Sequence, residues 1–185
     1  MRRSDRIVEE YLVISARLGD RRALGRLVAH RGPRLLAHAT RLMGDREEAR
    51  DAVQEAWLDI VRGLPRLTDP RAFPAWATRI VTRRCARAIR VKVRTRALAR
   101  DFGATAERTS APEEGRAVDA ATIRGAIAAL PADQGATIAL FYLEEMSVAE
   151  VSVALDIPVG TVKTRLMHAR EKLKFALKGN ADDQA

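Results

Sequence analysis

Cysteine is almost absent from this chain: Cys85 stands alone among 185 residues. One thiol cannot close an internal disulfide, and His30, His38 and His168 lie too far apart in sequence for a zinc-binding spacing. No metal or other cofactor is expected, and Cys85 reads as a small buried apolar residue. No P-loop, nucleophile elbow or histidine–carboxylate constellation occurs, so no catalytic residue is expected and an enzyme is the least favoured class. Long apolar runs are missing too. Nothing approaches the roughly 18 residues needed to span a bilayer, and the opening "MRRSDRIVEEYLV" lacks the apolar stretch of a signal peptide. The expected location is cytoplasmic, without membrane insertion. Aromatic residues make up only 4% of the chain, yet 47% is hydrophobic, so cores can still form.

What is abundant is positive charge. The formal net charge is +9 and the pI is near 10.7, which points to a polyanionic partner. Almost everything reads as helix, because apolar residues recur at three- and four-residue spacing with no convincing alternating run. The fold class expected is all-α. Two helices are read between 20 and 62, broken near Gly44-Asp45, with Gly32-Pro33 as a kink or break in the first. After the loop "GLPRLTDPRAF" another helix runs from near Phe73 to about Arg100. From 101 to 118, "DFGATAERTSAPEEGRAV" loses its apolar period and reads as a flexible linker. Helical text resumes at Asp119 and continues to about Lys178, before a polar tail at 179–185. Two helical domains follow, 1–100 and 119–178.

The stretch "SVAEVSVALDIPVGTVKTRLMHAREKL", Ser147 to Leu173, carries the most specific local signals. Ser147 and Glu150 form a capping box that starts a helix. "LDIP" makes the corner, where Asp156 tolerates a left-handed conformation and Pro158 suits the start of the next helix. This is a helix-turn-helix pattern. Wound at 100° per residue, the second helix buries Val162, Leu166, Ala169 and Leu173. It turns Gly160, Thr164, Met167, His168 and Glu171 outward, flanked by Lys163 and Arg165. Donors, acceptors and a methyl contact on one face are what a DNA major groove requires. Residues 159–178 hold six Lys or Arg against one Glu.

Those residues carry a resemblance. "LPADQGATIALFYLEEMSVAEVSVALDIPVGTVKTRLMHAREKLK" is similar to region 4 of the extracytoplasmic-function (ECF) sigma factors, promoter-recognition subunits of bacterial RNA polymerase in the sigma-70 family. The resemblance implies a non-catalytic initiation factor whose C-terminal domain reads the −35 element. Base and phosphate contacts would come from Gly160, Thr161, Lys163, Thr164, Arg165, Met167, His168 and Arg170. Two departures stand out: Asp156 replaces the usual Gly, and Met167-His168 replaces a pair whose second member is usually basic. His168 stays open between a DNA contact and a surface residue.

"GDREEARDAVQEAWLDIVRGLPRL" resembles region 2 of the same family. Six acids face two Arg between 45 and 59, in a chain that is basic overall. The resemblance implies docking through Asp51, Gln54 and Glu55 on the clamp helices of the polymerase's largest subunit. It also implies that region 4 reaches the flap of the second subunit. From Arg71 to Arg100 there are ten Arg or Lys and no acid, a charge that phosphates would compensate. By resemblance this helix and the loop before it bind and melt the −10 element. The residues implied are Arg66, Leu67, Thr68, Asp69, Arg71, Phe73, Trp76, Arg79, Arg83, Arg84 and Arg87. The loop would capture an unstacked base. Trp76 is open between DNA and core, and Arg84 and Arg87 stand where Asn and Asp are common. Promoter DNA, core RNA polymerase and an anti-sigma factor are the implied partners, with nucleoid association when bound to polymerase. The linker would thread towards the RNA exit path, where its five acids against two bases over 101–119 could mimic nucleic acid. The alternative is a stand-alone helix-turn-helix regulator, usually a dimer on paired half-sites; no long heptad seam supports dimerisation.

Overall fold

The computed structural model describes residues 3–101 and 125–182, and every regular element among them is helical. The linker expected at 101–118 lies outside the described residues apart from Asp101, as does the helix onset expected at Asp119.

The first domain contains four helices: α1 (Arg3–Arg17), α2 (Arg21–Met43), α3 (Arg46–Gly63) and α4 (Phe73–Asp101). Asp20 caps α2 by accepting from the Arg22 and Ala23 amides. Gly44 ends α2 at φ 75°, a left-handed conformation that glycine adopts without a Cβ clash, and Asp45 then caps α3. The break expected at Gly44-Asp45 is present. The one expected at Gly32-Pro33 is not: α2 runs through Pro33 without interruption. Pro33 loses one helical hydrogen bond, but buried Leu27 and Leu35 hold the helix against its neighbours on both sides of it.

Leu12 and Val13 of α1, Leu27, Leu35 and Ala39 of α2, Val53, Ala56 and Ile60 of α3, and Phe73, Ala77, Val81 and Cys85 of α4 form one core. Alanines at 49, 52, 56 and 77 let the helices approach closely, which compensates for the scarcity of aromatics. The only two tryptophans of the chain, Trp57 and Trp76, pack at its edge. Gly63, the last residue of α3, lies under the Trp76 indole; a Cβ there would come within 2.8 Å of the ring. Gly63→Ala is therefore expected to displace Trp76 and cost about 1–3 kcal/mol, read as a lowered urea midpoint with altered tryptophan fluorescence.

The second domain contains a helical turn at 125–128 followed by α5 (Ala132–Tyr142), α6 (Val148–Leu155) and α7 (Val159–Asp182), the last continuing past Lys178. Its core comprises Ile127, Ile138, Leu140, Met146, Val151, Ala154, Val162, Leu166 and Ala169. Leu42 of α2 touches both cores.

Candidate nucleic-acid and polymerase interfaces

The helix-turn-helix forms as its sequence dictates. Ser147 Oγ accepts from the Glu150 amide at 3.2 Å, and Glu150 Oε2 accepts from the Ser147 amide at 2.7 Å. Asp156 closes α6 at φ 57°, ψ 44°, and Pro158 directly precedes α7. Val162 and Ala169 are fully buried and Leu166 nearly so. That leaves Gly160, Lys163, Thr164, Met167, His168 and Arg170 exposed along the opposite face. Not all of them have unoccupied hydrogen-bonding groups. Thr164 Oγ1 donates to the Gly160 carbonyl at 3.1 Å, and Arg165 pairs with Asp133 at 3.2 Å. Arg170 lies over the Phe141 and Tyr142 rings and donates to the Tyr142 hydroxyl at 3.0 Å. Thr161 is half-buried. The face open to a major groove is thus centred on Lys163, Met167 and His168.

The loop between α3 and α4 holds two short 3₁₀ turns, Leu64–Arg66 and Pro70–Ala72. Asp69 caps the second and pairs with Arg71 at 3.1 Å; the hydrogen bond from Arg71 holds the Asp69 carboxyl below the ordinary range. Arg66, Thr68 and Arg71 are exposed. Phe73 and Leu67, implied at the −10 interface, are buried in this structure. Phe73 is wholly buried and Leu67 is 9% exposed, so both brace the loop from beneath. Apolar periodicity in a loop cannot show this, because burial there depends on packing against α1 and α3. Trp76 is half-buried, with its ring tilted against Phe73 at a centroid distance of 6.1 Å. The cavity beside this loop, about 260 Å³, is lined by Glu9, Glu10, Glu144 and Glu150 as well as Arg6 and Arg71. In this arrangement its walls repel a nucleotide.

The arginines of α4 divide into two groups. Arg84 faces α3, donating to Glu55 Oε2 at 3.0 Å and to Asp59 Oδ2 through Nε at 2.7 Å. The hydrogen bond to Asp59 raises its pKa further. Arg87 is exposed and lines the same groove, about 790 Å³, together with Asp51, Asp59, Leu58 and Val91. Arg79 and Arg83 point the other way and both meet Asp156, at 2.7 and 3.0 Å. The expected −10 arginines therefore do not form one open surface.

On α3, Asp51, Gln54 and Glu55 are all exposed. Asp59 lies one further turn along the Asp51–Glu55 row, and Glu48 pairs with Lys92 of α4. The i, i+4, i+8 spacing of Asp51, Glu55 and Asp59 puts the three on one helix row. Among the described residues no group of His, Cys, Asp or Glu has metal-binding geometry, and no helix is long and apolar enough to cross a membrane.

Comparison with known proteins matches this layout. The Sigma-70 region 2 pattern covers residues 27–95 and the Sigma-70 region 4 pattern covers 120–173. An ECF RNA polymerase sigma factor of Mycobacterium tuberculosis, SigM, is 34% identical over 84% of this chain and 77% of its own length. The chain belongs to the sigma-70 family, in its ECF class. It is an RNA polymerase sigma factor, and a stand-alone regulator is not favoured. SigW of Bacillus subtilis is 30% identical over 86% of this ECF sigma factor and 91% of its own length. Among solved structures, CnrH in complex with the cytosolic domain of CnrY aligns at a TM-score of 0.59 and 26% identity, covering 93% of this chain and 98% of that one. RpoE of Bartonella quintana, in complex with the anti-sigma factor NepR, shares the fold at a TM-score of 0.62 and 23% identity, covering 84% and 96%.

Proposed function

We propose that this sigma factor directs core RNA polymerase to its promoters through three surfaces. The α3 row Asp51, Gln54, Glu55 and Asp59 docks on the clamp helices of the largest subunit, where carboxylates against a basic surface give steering and register. The exposed side of α4 with Arg66, Thr68 and Arg71 holds melted −10 DNA, mainly through phosphates. The α7 face at Lys163, Met167 and His168 reads the −35 element. The observation that supports this reading best is the acidic α3 packed beside an α4 that carries no acid until Asp101. A regulator binding DNA alone needs no such acidic surface. The protein contributes no catalysis; RNA synthesis belongs to the polymerase. An anti-sigma factor, as in the NepR complex of the Bartonella protein, is the fitting inhibitor.

Run-off transcription with core polymerase on fragmented source-genome DNA tests this. New start sites sharing upstream −35 and −10 sequences are expected when the protein is added. Binding of the same DNA without polymerase, and no new starts, would support the stand-alone regulator. Asp51→Arg/Glu55→Arg should reduce run-off product by about tenfold or more, because like charges then meet at the docking surface. Its helical circular dichroism should be unchanged.

A further inference from the structure

The two domains meet through polar contacts that converge on the helix-turn-helix corner. Asp156 Oδ1 lies 2.7 Å from an Arg79 guanidinium nitrogen, and Oδ2 accepts from Arg83 Nε at 3.0 Å. One turn away, Thr82 Oγ1 donates to the Ala154 carbonyl at 2.8 Å and contacts His38 Nε2 at 2.9 Å, which ties α6 to α4 and α2. A second set of contacts lies on the far side. Glu144, in the loop after α5, meets Arg31 at 3.2 Å and Arg34 at 3.6 Å, and Arg6 donates to the Glu145 carbonyl at 2.9 Å.

Asp156 sits at φ 57°, where glycine would be unstrained. The carboxylate reaches from the turn to α4. Its two partners are arginines of the −10 helix.

We propose that Asp156 latches the free protein in a closed form, in which the helix-turn-helix corner occupies Arg79 and Arg83 and withholds them from DNA. This rests on the −10 role assigned to α4. The recognition face of α7 stays exposed in the closed form, so −35 contact does not require opening and −10 contact does. Exposed ion pairs are individually weak, so the latch biases an equilibrium that apolar packing and Thr82 also support.

The test uses the full chain carrying Arg21→Cys and Glu171→Cys for dye labelling; Cys85 is buried and its thiol is pushed up to about 11, so it stays unlabelled. Asp156→Gly removes the carboxylate and relaxes the turn, while Asp156→Asn removes only the charge. Both should lower energy transfer between the dyes. Both should also raise affinity for a mixed-sequence single-stranded DNA of about 20 nucleotides, about threefold to tenfold for Asp156→Gly. Adding Arg79→Ala/Arg83→Ala should erase that gain while leaving energy transfer low. Unchanged energy transfer in both Asp156 variants would overturn the latch. Opening without a gain in DNA affinity would overturn the masking of Arg79 and Arg83. In either case, run-off transcription by the wild-type protein still judges the sigma-factor reading separately.

Discussion

Arg31→Met is expected to lower the unfolding free energy of the first domain by about 3–5 kcal/mol. The Arg31 side chain is 1% exposed and Glu9, 3.7 Å away, is 2% exposed; Arg31 also meets Glu144 at 3.2 Å and the Pro74 carbonyl at 3.5 Å. Burial already pushes the Glu9 carboxyl above its ordinary value, and Arg31 is the largest influence opposing that. Neither Glu9 oxygen has a hydrogen-bond donor. Without Arg31 the carboxylate must stay buried and unpaired or take up a proton at neutral pH, and both cost free energy. The ion pair itself is worth much less, because its desolvation offsets most of the attraction. Arg31→Met/Glu9→Met should therefore recover most of the loss. Urea unfolding at pH 7, followed by Trp57 and Trp76 fluorescence, reads the first domain alone. A double variant as unstable as Arg31→Met would show that the cost came from packing.

Lowering the pH from 7 to 5 is expected to remove about 2 kcal/mol of stability through His38 alone. Its ring is 2% exposed and its pKa is pushed down to about 3, first by burial and then by the Arg41 and Arg31 charges. The unfolded chain holds the same group near its ordinary 6.5. Between these values the unfolded state binds a proton that the folded state refuses, so stability falls as the pH drops. The contact of Nε2 with Thr82 leaves Nδ1 with no partner, and a proton there would be a buried donor without an acceptor. His38→Gln keeps a donor for Thr82 and should flatten the dependence between pH 7 and 5. Glu9 acts in the opposite sense: its raised pKa contributes stability at low pH that is lost as the pH rises through the folded value. It is present in both proteins, so the difference between them isolates His38. Parallel pH curves would refute the assignment.

Features set by a few neighbouring residues were legible in the sequence. The Ser147–Glu150 capping box, the left-handed Asp156 and the buried stripe Val162–Leu166–Ala169 need only local geometry and helical period, and all three are present. The helix is not broken at Pro33, because packing along α2 outweighs a local penalty. Motif position marks Phe73 and Leu67 for the −10 interface, while their burial is set by tertiary packing that local sequence does not show. Arg84 with Asp59, and Arg79 and Arg83 with Asp156, join residues 25, 77 and 73 apart in sequence. Charge counts marked those residues as basic or acidic. Only the fold shows which of them neutralise one another.

Two separate surfaces of this protein are expected to touch two separate promoter elements in the polymerase complex. Tethering an iron chelate at Met167→Cys or at Arg66→Cys tests this, with Cys85 too buried to react. On a promoter identified by run-off, hydroxyl radicals from position 167 should cut within the −35 element and those from position 66 beside the −10 element. Cutting of one common element from both positions, or of neither, would contradict the account.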